Sequence, residues 1–376
     1  MPFELTRDQR TLREETRRFT REEIAPVADE LDANREYPGE ILDALAERGV
    51  TGLTVAETYG GRGAGPVELA VVVEELSAGL MSVAAALSLH LGVAEVVERF
   101  GTDAQRERFL PAMAAFERVG ALGLAEAGAG SDKAAMETRA ERDGDEWVLS
   151  GHKQWVTNVA DADVVLLYAR TDPPEERGGI SAFLVPAGAL DVVREWDVIG
   201  GRSVGTYRVE FDGVRVGTDR LVGERGRALE RRGALRTGVN LPARAVGVAR
   251  AALSDAVDYV HEREQFGRAV EEYQGVRWRV AEMSQRVEAA RLLTLRAASA
   301  AARDAPTASG DTSLAKVYAT EAAVDTASDA MGLHGGVGYT GEHSVERYFR
   351  DAKLLTIAGG SNDVHRNAVA DAAFSR

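Results

Sequence analysis

Cysteine is absent from the 376-residue chain, which excludes a disulfide, a thiolate metal site and a cysteine nucleophile. Lysine is nearly absent too. Of 45 basic residues only Lys133, Lys153, Lys316 and Lys353 are lysine. Positive charge is in deficit overall: the formal net charge is -15 and the pI about 5.0. A nucleic-acid or anionic-membrane partner requires a basic field that releases counterions, and this chain lacks one. Aromatic residues make up 6%. The charged opening MPFELTRDQRTLREETRRF has no apolar h-region, so no secretion signal is expected. No run of eighteen or more apolar residues stands out as a membrane span. These absences together predict a cytoplasmic protein.

What is present is ordinary for a folded chain, with 45% hydrophobic and 28% charged residues. The length exceeds what one core usually serves, so two or three domains are expected. Residues 1–118 read as helices. Thr6 and Gln9 form a capping-box pattern, and Leu12 and Phe19 recur at a helical spacing. From 119 to 225 the hydrophobic period falls to two. VVLLYAR (164–170) reads as a buried strand, and YRVEFDGVRV (207–216) alternates around Asp212-Gly213, a hairpin-type turn signal. From 226 to 376 the helical period returns, with Val276, Val280, Met283 and Val287 on one stripe. Helices, a β block, then helices describe an α+β chain with segregated layers.

Several chemical motifs fail their context tests. Gly201-Arg202-Ser203-Val204-Gly205 fits a hydrolase elbow, which needs a strand before it and a helix after it, whereas here a strand follows. HGGVGYTG (334–341) lacks the Lys-Ser/Thr of a phosphate loop. The six histidines contain no H-x-x-x-H pair, and no metal is assigned.

Five segments gain meaning from their order. LAEAGAGSD (124–132), GHKQWVTN (151–158), REQFGRAVEEYQ (263–274), HGGVGY (334–339) and RDAKLLTIAGGSNDVHR (350–366) resemble, in sequence, the signatures of the FAD-dependent acyl-CoA dehydrogenase family. The resemblance covers nearly the whole chain. It implies a helical N-terminal domain, a central β-barrel-like domain and a C-terminal four-helix bundle. It also implies FAD as cofactor, with Trp155 as a wall of the flavin, Thr157 near its N5 and backbone donors from the Leu124–Ser131 loop. Arg263, Ser131, Ser361, Asp363 and the glycines at 335 and 336 would serve the diphosphate. Arg263, Phe266 and Gln274 would reach the FAD of a neighbouring subunit, which implies a homo-oligomer built as a dimer of dimers. An acyl substrate carried on CoA or a carrier protein is implied. So is an electron acceptor, either an electron-transfer flavoprotein or O2.

The chain also departs from that pattern. The family removes an α-proton with a glutamate at the position that here is Gly359, or on the first helix of the last domain, where this chain has Thr237. The arginine that usually follows the second position is Gly238. Ala125 and Gly332 replace a threonine and a glutamine near the cofactor. Glycine at these places predicts an enlarged pocket. Pro242 predicts a kink or a helix start near Asn240. Three readings follow: an oxidation of an acyl thioester with another base, a tailoring flavoenzyme that decarboxylates, desaturates or oxygenates, or a non-catalytic partner subunit of an active homologue.

Overall fold

The computed structural model describes residues 4–172, 179–232 and 235–374. Six helices come first: α1 (Arg7–Phe19), α2 (Ala28–Asn34), α3 (Gly39–Glu47), α4 (Pro66–Gly79), α5 (Met81–Phe100) and α6 (Asp103–Ala114). Thr6 starts α1 as its motif predicts. Its hydroxyl accepts from Gln9 N at 3.3 Å, and the Gln9 side chain accepts from Thr6 N at 2.9 Å. Thr102 and Gln105 repeat the device at α6, at 3.2 and 2.9 Å. These caps satisfy amide groups that a helix cannot bond internally.

α5 corrects one expectation. At 20 residues it is long and apolar enough to cross a membrane by length and composition. Ser88, His90 and Glu95 interrupt its apolar residues, which hid it from a search for unbroken runs. It is a core helix, with 83% of its apolar window buried inside the fold. A helix that is apolar all round needs cover on every side, and here α4, α6, the sheet and the helix over Asn240–Glu262 supply it.

Strands β1 (Gly120–Gly123), β2 (Arg139–Asp143), β3 (Glu146–Thr157), β4 (Val164–Arg170), β5 (Ile180–Pro186), β6 (Asp191–Glu195), β7 (Thr206–Gly217) and β8 (Leu221–Val222) form one mixed sheet. Its order is β6-β7-β3-β2-β4-β5-β8, with β1 parallel to β4. The sheet is open, with β6 and β8 as its ends, so the barrel-like expectation is met by a sheet that does not close. β4 is buried on both faces, as its unbroken apolar run predicts. Val164, Leu166 and Tyr168 join the cluster that includes α5 and α6 residues, while Val165, Leu167 and Ala169 join the opposite cluster.

Asp212-Gly213 is not a hairpin turn. It lies inside the continuous strand β7, where it forms a bulge opposite Ser150 of β3. Ser150 Oγ donates to Asp212 Oδ1 at 3.1 Å and accepts from Gly213 N at 2.9 Å, and Gly213 takes a φ of 65°. An Asp-Gly pair supplies the same left-handed backbone to a bulge as to a turn. Only the partner strand distinguishes them.

The last domain begins with α7 (Ala228–Arg232) and a 3-10 turn at Arg236–Val239. The long helices α8 (Asn240–Glu262), α9 (Gln274–Ala302) and α10 (Ala308–His334) follow, then α11 (Val345–Leu355) and α12 (Asn362–Phe374). α8 starts at Asn240, as Pro242 predicts for a first-turn proline. A two-residue hairpin, β9 (Glu264–Gln265) and β10 (Arg268–Ala269), joins α8 to α9. One core spans the first and last domains. At its centre the buried Glu75 of α4 takes bidentate pairs from Arg17 of α1, at 3.1 and 2.9 Å, and Arg250 of α8, at 2.9 and 2.5 Å.

His90 joins α5 to β1. Its Nε2 donates to Met113 O at 3.0 Å and its Nδ1 accepts from Gly120 N at 3.1 Å, which fixes a neutral ring. Burial pushes its pKa down to about 4. The unfolded chain therefore takes up the proton first. Stability is expected to fall as pH drops from about 6.5 through about 4, by at most about 1.4 kcal/mol per pH unit from this group. Urea titrations across that window should show the slope, and His90→Gln should flatten it. An unchanged slope in that variant would assign the dependence to other groups.

Candidate active site

The first signature loop follows β1, and a buried ion pair sets its path. Glu126 accepts from Glu137 N at 2.7 Å, Thr138 N at 3.1 Å and Lys153 Nζ at 2.6 Å. Lys153, on β3, also donates to Leu124 O at 3.3 Å, and Gln154 N donates to Ala125 O at 2.8 Å. Lys153 is fully buried and Glu126 nearly so, at 3% exposure. Burial pushes the ammonium down to about 8 against the pull of Glu126. On the carboxyl, burial acts upward, and Lys153 together with the hydrogen bonds from Thr138 and Glu137 outweighs it to leave the pKa lowered. Leu124 and Ala125 are thereby fixed against β3, while Gly128, Gly130 and Ser131 face outward.

Trp155 sits on β3 where the register with β7 shifts between Lys153 and Val156. Its φ is +60°, rare for a bulky residue, and it remains 51% exposed. Its indole stacks on Trp196, with centroids 4.7 Å apart, and the Arg194 guanidinium lies 3.9 Å from the Trp196 ring. Thr157 ends the strand half-buried, after the buried Val156. Asn158 ends the strand in the left-handed region and donates from Nδ2 to Ala86 O of α5 at 3.0 Å.

A second buried lysine organises the turn before α12. Lys316 Nζ, from α10, donates to Thr356 O at 3.3 Å, Gly360 O at 2.8 Å and Asn362 Oδ1 at 2.7 Å. Gly359 lies in this turn with φ +69°. A Cβ there would run into Leu241 Cδ1. Leu241 stands in the first turn of α8, four residues after Thr237. The expected enlargement of the pocket is overturned, because Leu241 fills the space. Thr237 is buried, and its amide and that of Arg236 donate to Glu95 of α5 at 2.9 and 2.7 Å. Ser361 is half-buried, whereas Asp363 is exposed and bonded to Arg366 at 2.7 Å.

The remaining predicted residues lie at the other end of the bundle. Arg263, Phe266 and Gln274 occupy the exposed hairpin and the start of α9, with Phe266 95% exposed. Gly335 and Gly336 follow α10, whose His334 stacks on Tyr259 of α8 at 4.3 Å. The 23 residues of α8 separate this group from Thr237 and Leu241 by roughly 30 Å at 1.5 Å per residue.

Glu126, Lys153, Lys316 and Leu241 were not singled out by sequence reasoning. A signal for the lysines existed. In a chain that uses arginine almost everywhere, two of four lysines hold site loops. A compact ammonium can meet converging acceptors in a space that a planar guanidinium does not fit. The hydrolase elbow is dismissed by structure as well, since Ser203 is fully buried and precedes β7.

Three family models match in order: the acyl-CoA dehydrogenase N-terminal domain over residues 6–117, the middle domain over 121–214 and the C-terminal domain over 234–374. The chain belongs to the acyl-CoA dehydrogenase family. The short-chain-specific acyl-CoA dehydrogenase of Clostridium acetobutylicum is 32% identical over the whole of both chains. Butyryl-CoA dehydrogenase of Megasphaera elsdenii has a structure that matches with a TM-score of 0.96 at 32% identity, covering both chains completely. A glutaryl-CoA dehydrogenase from Mycobacterium smegmatis, solved in complex with FADH2, matches with a TM-score of 0.92 at 26% identity, over 99% of this chain and 96% of that one. Within this acyl-CoA dehydrogenase fold, Leu241 fills the space beside Gly359, where the sequence resemblance places the family glutamate.

Proposed function

We propose that the protein is a cytoplasmic FAD-dependent oxidoreductase that acts on an acyl thioester carried by CoA or a carrier protein. The reading rests on Trp155: a half-exposed indole in a positive-φ conformation, backed by Trp196, is a platform built for a flat ligand. The residues present fit FAD. Leu124, Ser131, Trp155 and Thr157 would hold the isoalloxazine side, with Ser361 and Asp363 near the diphosphate, and the buried Lys153 and Lys316 fix the backbones that carry these groups. The flavin, when bound, supplies the hydride acceptor. The chain's own part is to orient the thioester, exclude water and set the charge around its α-carbon. Purified protein is expected to be yellow with about one FAD per chain. A colourless protein with no flavin absorption after incubation with FAD would refute the reading.

The separation along α8 supports a homo-oligomer, built as a dimer of dimers. Arg263, Phe266, Gln274, Gly335 and Gly336 lie beyond the far end of α8, roughly 30 Å from Thr237 and Leu241, so they would act on the flavin of a neighbouring subunit. Arg263→Ala is expected to weaken FAD retention and assembly together, because each stabilises the other. Sedimentation of the variant beside its flavin content measures both. A monomer that keeps FAD tightly would contradict the arrangement. The acceptor, an electron-transfer flavoprotein or O2, is distinguished by comparing oxygen consumption with reduction of an artificial dye.

A further inference from the structure

Arg244 is a buried cation without an anion. It lies in the second turn of α8 at 7% exposure. Its Nη2 donates to Asn240 Oδ1 at 2.9 Å, and its buried Nε has no partner. Among the described residues no carboxylate pairs with it. Burial lowers its pKa to about 10, which still leaves it charged at neutral pH. It also acts on Lys316, whose pKa burial, then Arg244 and Arg366, press down against Glu321 to about 8.

Its position gives this charge a use. Leu241 and Arg244 stand three residues apart in α8, on one face of the helix. The guanidinium reaches back to Asn240, level with Leu241, whose side chain meets position 359. Position 359, where the resemblance places a carboxylate, therefore holds glycine against Leu241, and the guanidinium without a carboxylate partner follows one turn further along α8. An uncompensated buried charge is costly. A ligand that brings the missing anion would remove that cost at the moment of binding.

We propose that Arg244 binds an anionic group, a carboxylate, on the acyl part of the substrate, within a few bonds of the thioester. The substrate class is then a short dicarboxylic acyl thioester. This deepens the acyl-thioester reading and rests on it. Arg244 is a specificity-determining residue in this assignment, and an apolar acyl chain leaves it unpaired.

The test is calorimetric titration of the FAD-loaded protein with length-matched thioesters, succinyl- against butyryl-CoA and glutaryl- against valeryl-CoA. One diacid is expected to bind at least about tenfold tighter than its unsubstituted partner, the equivalent of one charge-assisted hydrogen bond. Arg244→Gln should abolish that preference. The same variant should raise the melting temperature of the ligand-free protein, whereas a purely structural arginine would lower it. Equal affinities in the unmodified protein, or a preference that survives Arg244→Gln, would overturn the assignment while leaving the acyl-thioester reading intact. Failure of every thioester to bind would overturn both.

Discussion

Butyryl-, octanoyl- and isovaleryl-CoA are expected to leave the oxidised flavin absorbance of this protein unbleached on the second timescale under anaerobic conditions. A positioned general base contributes roughly 10²–10⁴ in rate, and neither family position supplies one. Position 359 is glycine and position 237 a buried threonine. Asn240 does not titrate, and Arg244 stays protonated. His365 is near, with Nε2 3.4 Å from Gly359 O, but its Nδ1 is engaged by Ser313 Oγ at 3.0 Å and its pKa is lowered by burial and then by Lys316. The structure sharpens the repair experiment. Gly359→Glu alone places a side chain at φ +69° against Leu241, so it should fail to restore bleaching. Gly359→Glu with Leu241→Ala opens the space and should recover part of the rate. Rapid bleaching of the unmodified protein by any of the three thioesters would show that another group removes the proton.

The second large effect concerns stability. Lys153→Met leaves the Glu126 carboxylate buried without its cation, and a loss of about 3–5 kcal/mol is expected. That is a large share of the total for a folded domain. Glu126 also accepts two backbone amides, so Glu126→Ala orphans the ammonium and both N–H groups and should cost at least as much. The double variant Glu126→Gln, Lys153→Met keeps an acceptor for one of those amides and removes both charges. It should recover part of the loss. Urea denaturation of the three variants measures the order, and flavin retention should follow it, because the pair fixes Leu124 and Ala125. A Lys153→Met protein as stable as the parent would show that the pair contributes little.

Local chemistry alone determined much of this protein. Capping at Thr6, the α8 start set by Pro242, the double-sided burial of β4 and the change of period between domains are all short-range consequences of residue type. The five ordered segments carried the family, since each preserves its residue types at its own place in the chain. Tertiary structure decided the rest. Asp212-Gly213 became a bulge because β3 pairs along the whole of β7, which no window around the dipeptide can contain. α5 proved to be a core helix because other elements surround it. The glycine at 359 looked like added space, yet Leu241 of a distant helix occupies it. Arg244 proved to be a buried charge with no carboxylate partner among the described residues. The site divided between two ends of α8 because helix length, and not sequence order, sets distance. A sequence states which groups exist, while cavity, charge balance and reach depend on which segments meet across more than a hundred residues.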